Sequence, residues 1–404
     1  VTNNNEERPF NRDQRRWVYA SAKKQNNYFG FGTDNDLELS PNHIVIRHSP
    51  FPLADPHPGD AGYDSNHTIA SEKVLGESRD RPKSFRPSSV VNISAMSFGS
   101  LSGNAIAALN KGCKLADCLH NTGEGGVSIH HQHGGELIWQ LGTGYFGCRA
   151  ADGGFDEEAF LRVVEANPVR AIEVKLSQGA KPGVGGLLPA VKITPEISEA
   201  RGIPMGEDCA SPAHHREFGN IRDMLGFVER LASASGLPVG IKSAVGQRAF
   251  WNELAEEMKS TGQAVDFIAV DGGEGGTGAA PLVFSDHVAL PFKQGFAEVF
   301  HAFASRGLDE RVLFFGSGKL GFPEQAITAF CLGCDGVSVG REAMLAIGCI
   351  QAQLCHNNRC PTGVATQSPW LARGLDPADK SVRLANYVVT LRKEILRVTR
   401  ACGH

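Results

Sequence analysis

The chain has 404 residues, 41% of them hydrophobic and 21% charged, with a formal net charge of −4. That balance is ordinary for a globular enzyme with a large core, and it argues against nucleic acid or an anionic membrane surface as the main partner. Ten cysteines in so long a chain read as reduced thiols rather than a secreted disulfide scaffold, and no run of about 18 apolar residues is present to span a bilayer.

The opening stretch VTNNNEERPFNRDQRRW is polar, without a signal-peptide or transit-peptide pattern. It predicts a cytoplasmic protein, tethered to a membrane only if an upstream segment has been removed. Residues 1–85 are rich in Asn, Asp, Pro and His, with little periodicity. They predict an irregular N-terminal extension packing on the rest, with a helix in RPFNRDQRRWVYASAKKQN and a short strand at HIVIRHS. SRDRPKSFRPSS then marks a boundary, so the second region is 86–404. Strand-like runs follow at 89–96, 116–122, 171–179, 238–245, 266–273, 311–318 and 335–342, with a weaker one near 137–147. Helical patterns at 103–114, 157–166, 219–235, 249–261 and 322–333 lie between them, and 377–399 is a closing amphipathic helix. Strands apolar on both faces and separated by helices form a covered parallel sheet. Eight such units predict an α/β fold, a (β/α)8 TIM barrel.

Active sites of such barrels form at the C-terminal ends of the strands. SFGS, NTGEGG, KLSQGAKPGVGG, KSAVG, DGGEGGTG, GSGKLG and GRE all fall there. Gly273, Gly275 and Gly278 have dinucleotide-fingerprint spacing, but Pro281 breaks the helix they should open. They read instead as a backbone nest facing a phosphate or flavin edge. GSGKLG and VGRE end the last two strands, where barrels hold phosphate, and Arg341 adds charge. With Val174 and Leu176 facing the helices, Lys175 points into the mouth, and Lys242 repeats the pattern on the next strand. Two inward lysines favour an anionic cofactor and substrate. Glu124, with glycines on both sides, is an acid–base candidate.

CIQAQLCHNNRCPTGVATQ, residues 349–367, places Cys349, Cys355 and Cys360 in one proline-ended loop. Iron–sulfur clusters use thiolates and their runs often end in Cys-Pro; zinc with a distant fourth ligand is the other reading of the spacing. Cys331 and Cys334 form C-x-x-C at a helix end and read as structural.

From about residue 88 onward, NISAMSFGSLS, NTGEGG, EVKLSQGAKPGVGGLLP, SPAHH, DGGEGGTGAAP and the cysteine stretch resemble the FMN-binding synthase region of glutamate synthases, and the N-terminal part looks like the stand-alone bacterial members. The resemblance implies FMN and a [3Fe-4S] cluster on Cys349, Cys355 and Cys360. It implies addition of ammonia to 2-oxoglutarate and hydride transfer from reduced flavin to 2-iminoglutarate, giving L-glutamate. Ala95, Met96 and Ser97 would border the flavin, Lys242 would face its N1–C2=O edge, and Gly276, Thr277, Gly318, Gly340 and Arg341 would hold ring or phosphate. Gln178, Lys181 and Arg201 would bind the dicarboxylate near Lys175, with Glu124 the proton-transfer group. Val1 begins no glutaminase domain and no NAD(P)H-binding domain is seen, so a separate donor, a ferredoxin or an NAD(P)H-dependent subunit, is expected. Leu187 stands where many members carry glutamine, which leaves open an amine such as methylamine as co-substrate, giving an N-substituted glutamate. A non-catalytic flavin and iron–sulfur electron-transfer subunit is the remaining reading.

Overall fold

Eight parallel strands close into a barrel in the computed structural model, which describes residues 8–25 and 44–404. In chain order the strands are β1 (Val91–Ile93), β2 (His120–Asn121), β3 (Leu137–Leu141), β4 (Val169–Lys175), β5 (Leu187–Leu188), β6 (Cys209–Ala210), β7 (Val239–Ala244), β8 (Phe267–Asp271), β9 (Leu313–Ser317) and β10 (Gly336–Val339). β5 and β6 form a separate antiparallel pair in the long excursion after β4, and the other eight make the barrel, with β10 returning to β1. The TIM barrel expected from the alternation is the observed fold.

Side-chain alternation divides the barrel into two apolar layers. Ile172, Val174, Ile241, Ile268, Val270 and Phe314 join the core between barrel and helices. Ala171, Phe267, Ala269, Leu313 and Phe315 fill the lower interior, where Leu75 and Phe85 pack among them. Those two pair across an antiparallel bridge and plug the N-terminal end of the barrel. Above this layer the inward positions turn polar, with Glu173, Lys175, Lys242 and Asp271 all buried.

Short polar side chains start several outer helices. Ser102, Asp156 and Asn220 accept from the backbone of Ala105, Ala159 and Asp223, a cap worth about 1 kcal/mol each. The helix Pro377–Ala401 lies against Gly103–Ala116 at Gly112, where an added Cβ would come within 2.7 Å of Leu384 and 2.9 Å of the Ser381 carbonyl. Buried Arg392 donates to Ala116 O at 2.9 Å, a cation at a helix C-terminus, where the dipole favours it. The helix Arg12–Ala22 opens with an Asn11/Gln14 capping box and sets Trp17 against Tyr387, rings 6.0 Å apart.

Several elements differ from the sequence reading. The weak segment near 137–147 supplies β3. The run at 116–122 yields only the two residues of β2, because the preceding helix continues to Ala116 and ends on Asp117 at φ +50°. HIVIRHS forms no strand over its described residues 44–49. Val45 is exposed and Ser49 N bonds to Ala401 O at the end of the last helix, so the alternation has no sheet edge to pair with. Helices Pro195–Arg201, Leu282–His287 and Phe292–Ala304 were not foreseen; each has a proline at or just before its first residue.

Candidate active site

β4 ends on Lys175, whose ammonium reaches Glu124 Oε1 at 2.9 Å and Gln178 Oε1 at 2.8 Å. Glu124 lies in the turn after β2. A Cβ on Gly142 would fall 2.6 Å from its Oε2, and one on Gly186 3.0 Å from its Oε1, so glycines make the room the carboxylate occupies. Burial pushes the Glu124 pKa up, but Lys175, then Lys181 and Arg201, outweigh it and hold the group below the ordinary carboxylate value. Lys181 is buried and donates to Gly185 O at 3.0 Å; burial, then Lys175, lower its pKa.

Arg201 closes the helix Pro195–Arg201 and is 5% exposed. Its Nη2 donates to Phe98 O at 2.9 Å and lies 3.4 Å from Ser97 Oγ, and the guanidinium sits 5.1 Å from the Phe146 ring centroid. Its Nε is buried with no acceptor, beside the Cys209 thiol. A buried donor left in that state costs about 1–3 kcal/mol, which an incoming carboxylate would offset. The structure thus brings Glu124, Lys175, Gln178, Lys181 and Arg201 to one mouth. Leu187 is 46% exposed, on the face of its hairpin opposite Leu188, which packs against Gly99.

One supporting residue went unread in the sequence. His215, from SPAHH, donates through Nε2 to Lys175 O at 2.8 Å and accepts at Nδ1 from the Tyr145 hydroxyl at 3.0 Å. It fixes the backbone that carries Lys175, and burial lowers its pKa to about 4.

Lys242 pairs in register with Lys175 on the adjacent strand. Its Nζ lies 3.4 Å from Asp271 Oδ2. Asp271 also accepts from Ser317 Oγ at 2.5 Å and Gly179 N at 3.0 Å. Glu173, beneath, accepts from Asn121 at 2.9 Å and Gln140 at 2.5 Å. Burial works against the charge on Lys242, yet Asp271 and then Glu173 raise its pKa above the usual value. Ala95, Asn121, Glu173, Lys242 and Ser338 line a small cavity here. Met96 and Ser97 pack against Gly123, where a Cβ would stand 2.7 Å from Ser97 N. Asp271 and Glu173 were legible: they share inward parity with Ala269 and Lys175.

The loops after β8, β9 and β10 meet around Arg341. A Cβ on Gly276 would lie 2.6 Å from Arg341 Cδ, Gly318 has φ +127°, and Gly340 immediately precedes Arg341. Thr277 Oγ1 accepts from Ala279 N at 3.2 Å. In the glycine loop, Gly273 N donates to Leu290 O and Gly275 N to Gly272 O, so these two N–H groups already have acceptors within the protein. Two cations stand beside this loop. Arg341 donates to Glu274 O and Lys319 to Pro9 O, and both lie over the Phe10 ring, at 5.1 and 5.0 Å. Among the described residues neither hydrogen-bonds a carboxylate, and burial lowers the pKa of both. Two such cations beside the last two strand-end loops suit a phosphate.

Cys349 follows the helix Arg341–Ala346, and Tyr19 donates to its carbonyl at 2.8 Å. The Cys360 sulfur faces backbone N–H groups of Ala365, Thr362 and Val364; they outweigh burial and lower its pKa, whereas burial pushes Cys349 up to about 11 and Cys355 also up. The three thiols lie within electrostatic reach of one another. Among the described residues no three His, Cys, Asp or Glu side chains converge on one ion. A single zinc needs all its ligands at about 2.0–2.3 Å, while cysteines of a cluster are shared among several irons. The all-thiol donor set suits an iron–sulfur cluster, and the N–H groups around Cys360 favour the thiolate at that one position. A Cβ on Gly278 would sit 3.0 Å from Cys355 Cβ, so the loop after β8 abuts the cysteine loop.

Residues 67–404 match the family described as the conserved region in glutamate synthase. The chain belongs to the glutamate synthase family. It is 35% identical to the glutamate synthase large subunit-like protein YerD of Bacillus subtilis, an alignment covering all of this chain and 82% of that one. It is 36% identical to the archaeal glutamate synthase (NADPH) of Methanocaldococcus jannaschii over 78% of this chain, spanning 59% of that relative. Among solved structures, a flavocytochrome b2 variant with sulfite bound superposes with a TM-score of 0.50 at 14% identity, covering 96% of this chain and 75% of that one, a likeness of fold alone. The glutamate synthase match starts inside the segment read as an extension and takes in the Leu75–Phe85 plug. Among the described residues no helix is long and apolar enough to cross a membrane.

Proposed function

We propose that this chain makes L-glutamate by reducing the 2-iminoglutarate formed from 2-oxoglutarate and ammonia. The observation that carries the reading is the gathering of Lys175, Lys181 and Arg201 around the single carboxylate of Glu124. That surplus of positive charge, with the unpartnered Arg201 Nε, suits a dianionic keto acid. Arg201 and Lys181 hold its carboxylates, and Gln178 and Lys175 orient its carbonyl. Glu124, kept ionised by its neighbours, accepts a proton from the attacking nitrogen and returns it to the departing hydroxyl.

Ala95, Met96 and Ser97 border FMN, Lys242 faces its ring edge, and Gly276, Thr277, Gly318, Gly340 and Arg341, with Lys319, hold its ring and phosphate. Cys349, Cys355 and Cys360 hold a [3Fe-4S] cluster. When bound, FMN supplies the hydride and the cluster supplies single electrons. A separate protein, a ferredoxin or an NAD(P)H-dependent subunit, is the electron source.

The test is anaerobic purification, with flavin, iron and sulfide quantified, then turnover of 2-oxoglutarate with ammonia or methylamine under a chemical reductant. One FMN, about three irons and glutamate as product support the reading. Flavin without iron removes the cluster. Both cofactors without 2-oxoglutarate binding leave an electron-transfer subunit, and N-methylglutamate as the preferred product reassigns the amine.

A further inference from the structure

Lys192 belongs to no motif noted in the sequence, yet it is among the most buried charged side chains of the molecule, 2% exposed. It ends the single helical turn Ala190–Lys192 that follows the β5 hairpin strand. Its Nζ donates to Ser100 O at 2.7 Å and to Cys355 O at 3.0 Å. No carboxylate hydrogen-bonds or ion-pairs with it among the described residues; the groups near it that could carry negative charge are the Cys355 and Cys360 thiols. A buried ammonium held only by carbonyl dipoles is costly unless a counter-charge meets it. The fold retains it where three thiols gather.

Its other contact leads to the opposite side of the site. Ser100 Oγ donates to Ser97 O at 2.8 Å and lies 3.0 Å from Ser97 Oγ. Ser97 is one of the residues assigned to the flavin border, and Arg201 of the substrate pocket leans on the same turn. Gln367, at the end of the cysteine stretch, clasps that turn as well, donating to Gly99 O at 3.0 Å and Leu101 O at 2.7 Å. One cation therefore joins the cysteine loop to the turn between flavin and substrate.

We infer that Lys192 is a positioning residue that acts as the fixed counter-charge of the iron–sulfur cluster and as the strut between cluster and flavin, an inference that rests on the cluster reading above. A fixed positive charge beside a one-electron centre favours its more negative, reduced form. Loss of the charge lowers the cluster's midpoint potential, while a conservative cation preserves it.

The experiment compares the intact protein with Lys192→Met, Lys192→Gln and Lys192→Arg, purified without oxygen. Flavin, iron and sulfide are quantified, and the cluster's midpoint is read by redox titration monitored by electron paramagnetic resonance. Lys192→Met and Lys192→Gln are expected to shift the reduced-to-oxidised ratio at fixed potential about tenfold toward oxidised, about 59 mV for one electron, with Lys192→Arg restoring it. An unchanged midpoint in Lys192→Met with iron retained overturns the inference. If the uncharged variants lose iron, retention in Lys192→Arg supports the counter-charge, and equal loss in Lys192→Arg overturns it in favour of packing. Absence of iron from the unaltered protein is a different failure, that of the cluster reading itself.

Discussion

Arg201→Lys tests the substrate pocket most directly, because it keeps the charge and removes the planar fork. In the present arrangement one terminal nitrogen is committed to Phe98 O and leans on Ser97, while Nε is buried and without an acceptor. A carboxylate meeting the free edge of the guanidinium gains a charge-assisted hydrogen bond, worth about 1.5–3 kcal/mol. Lysine can keep the Phe98 contact or reach the substrate, but its single nitrogen cannot hold the geometry of both. The dissociation constant for 2-oxoglutarate should therefore rise roughly 10- to 150-fold, at about 1.4 kcal/mol per tenfold. Calorimetric titration of the oxidised holoprotein measures it, with flavin and iron contents and the melting temperature as controls. A constant within about threefold of the parent, cofactors intact, refutes the assignment of Arg201 to the dicarboxylate.

Three further outcomes are expected. Lys242→Met leaves Asp271 buried without its cation and should destabilise the fold by about 3–5 kcal/mol; thermal melts should show Asp271→Asn in the same chain recovering part of the loss. His215 and His120 titrate near 4 and 3 because burial favours the neutral ring. Their folded pKa values lie below the unfolded 6.5, so the stability they contribute is complete above that value and is lost as pH falls through it. Each should cost about 2 kcal/mol between about pH 7 and about pH 5, and urea unfolding of His215→Asn should show a flatter acid limb. Gly276→Ala puts a methyl 2.6 Å from Arg341 Cδ and should lower the flavin content of purified protein, read from visible absorbance; full flavin loading would detach Arg341 from the cofactor site.

The barrel was legible because its strands are short runs apolar on both faces, separated by helices and ending in glycine or a polar side chain. The inward and outward parity along a strand placed Lys175 and Lys242 at the mouth, and carried one step further it would have named Glu173 and Asp271. β2 resisted reading because two residues carry no period, and its neighbouring apolar positions belong to the end of a helix. HIVIRHS misled for the opposite reason: its alternation is real, but strand formation needs a partner edge that folding does not supply there. Lys192 and Lys319 are different in kind. Each is a lone lysine whose meaning comes from carbonyls far away in sequence, at Cys355 and Ser100 for one and at Pro9 for the other. No local pattern records such a meeting. The cysteine loop was found by composition, although the backbone pocket that lowers Cys360 depends on the turn from 362 to 365.

Leu75 and Phe85 have a consequence for traffic through the molecule. With the floor of the barrel stoppered by apolar side chains, access among the described residues is from the opposite rim. On the function proposed above, keto acid, nitrogen source and product would all cross that rim, the one against which the cysteine loop rests through Cys355 and Gly278. Charging the site with electrons and emptying it of product would then be neighbouring events on one face, and a donor protein large enough to serve the first would stand close to the path of the second.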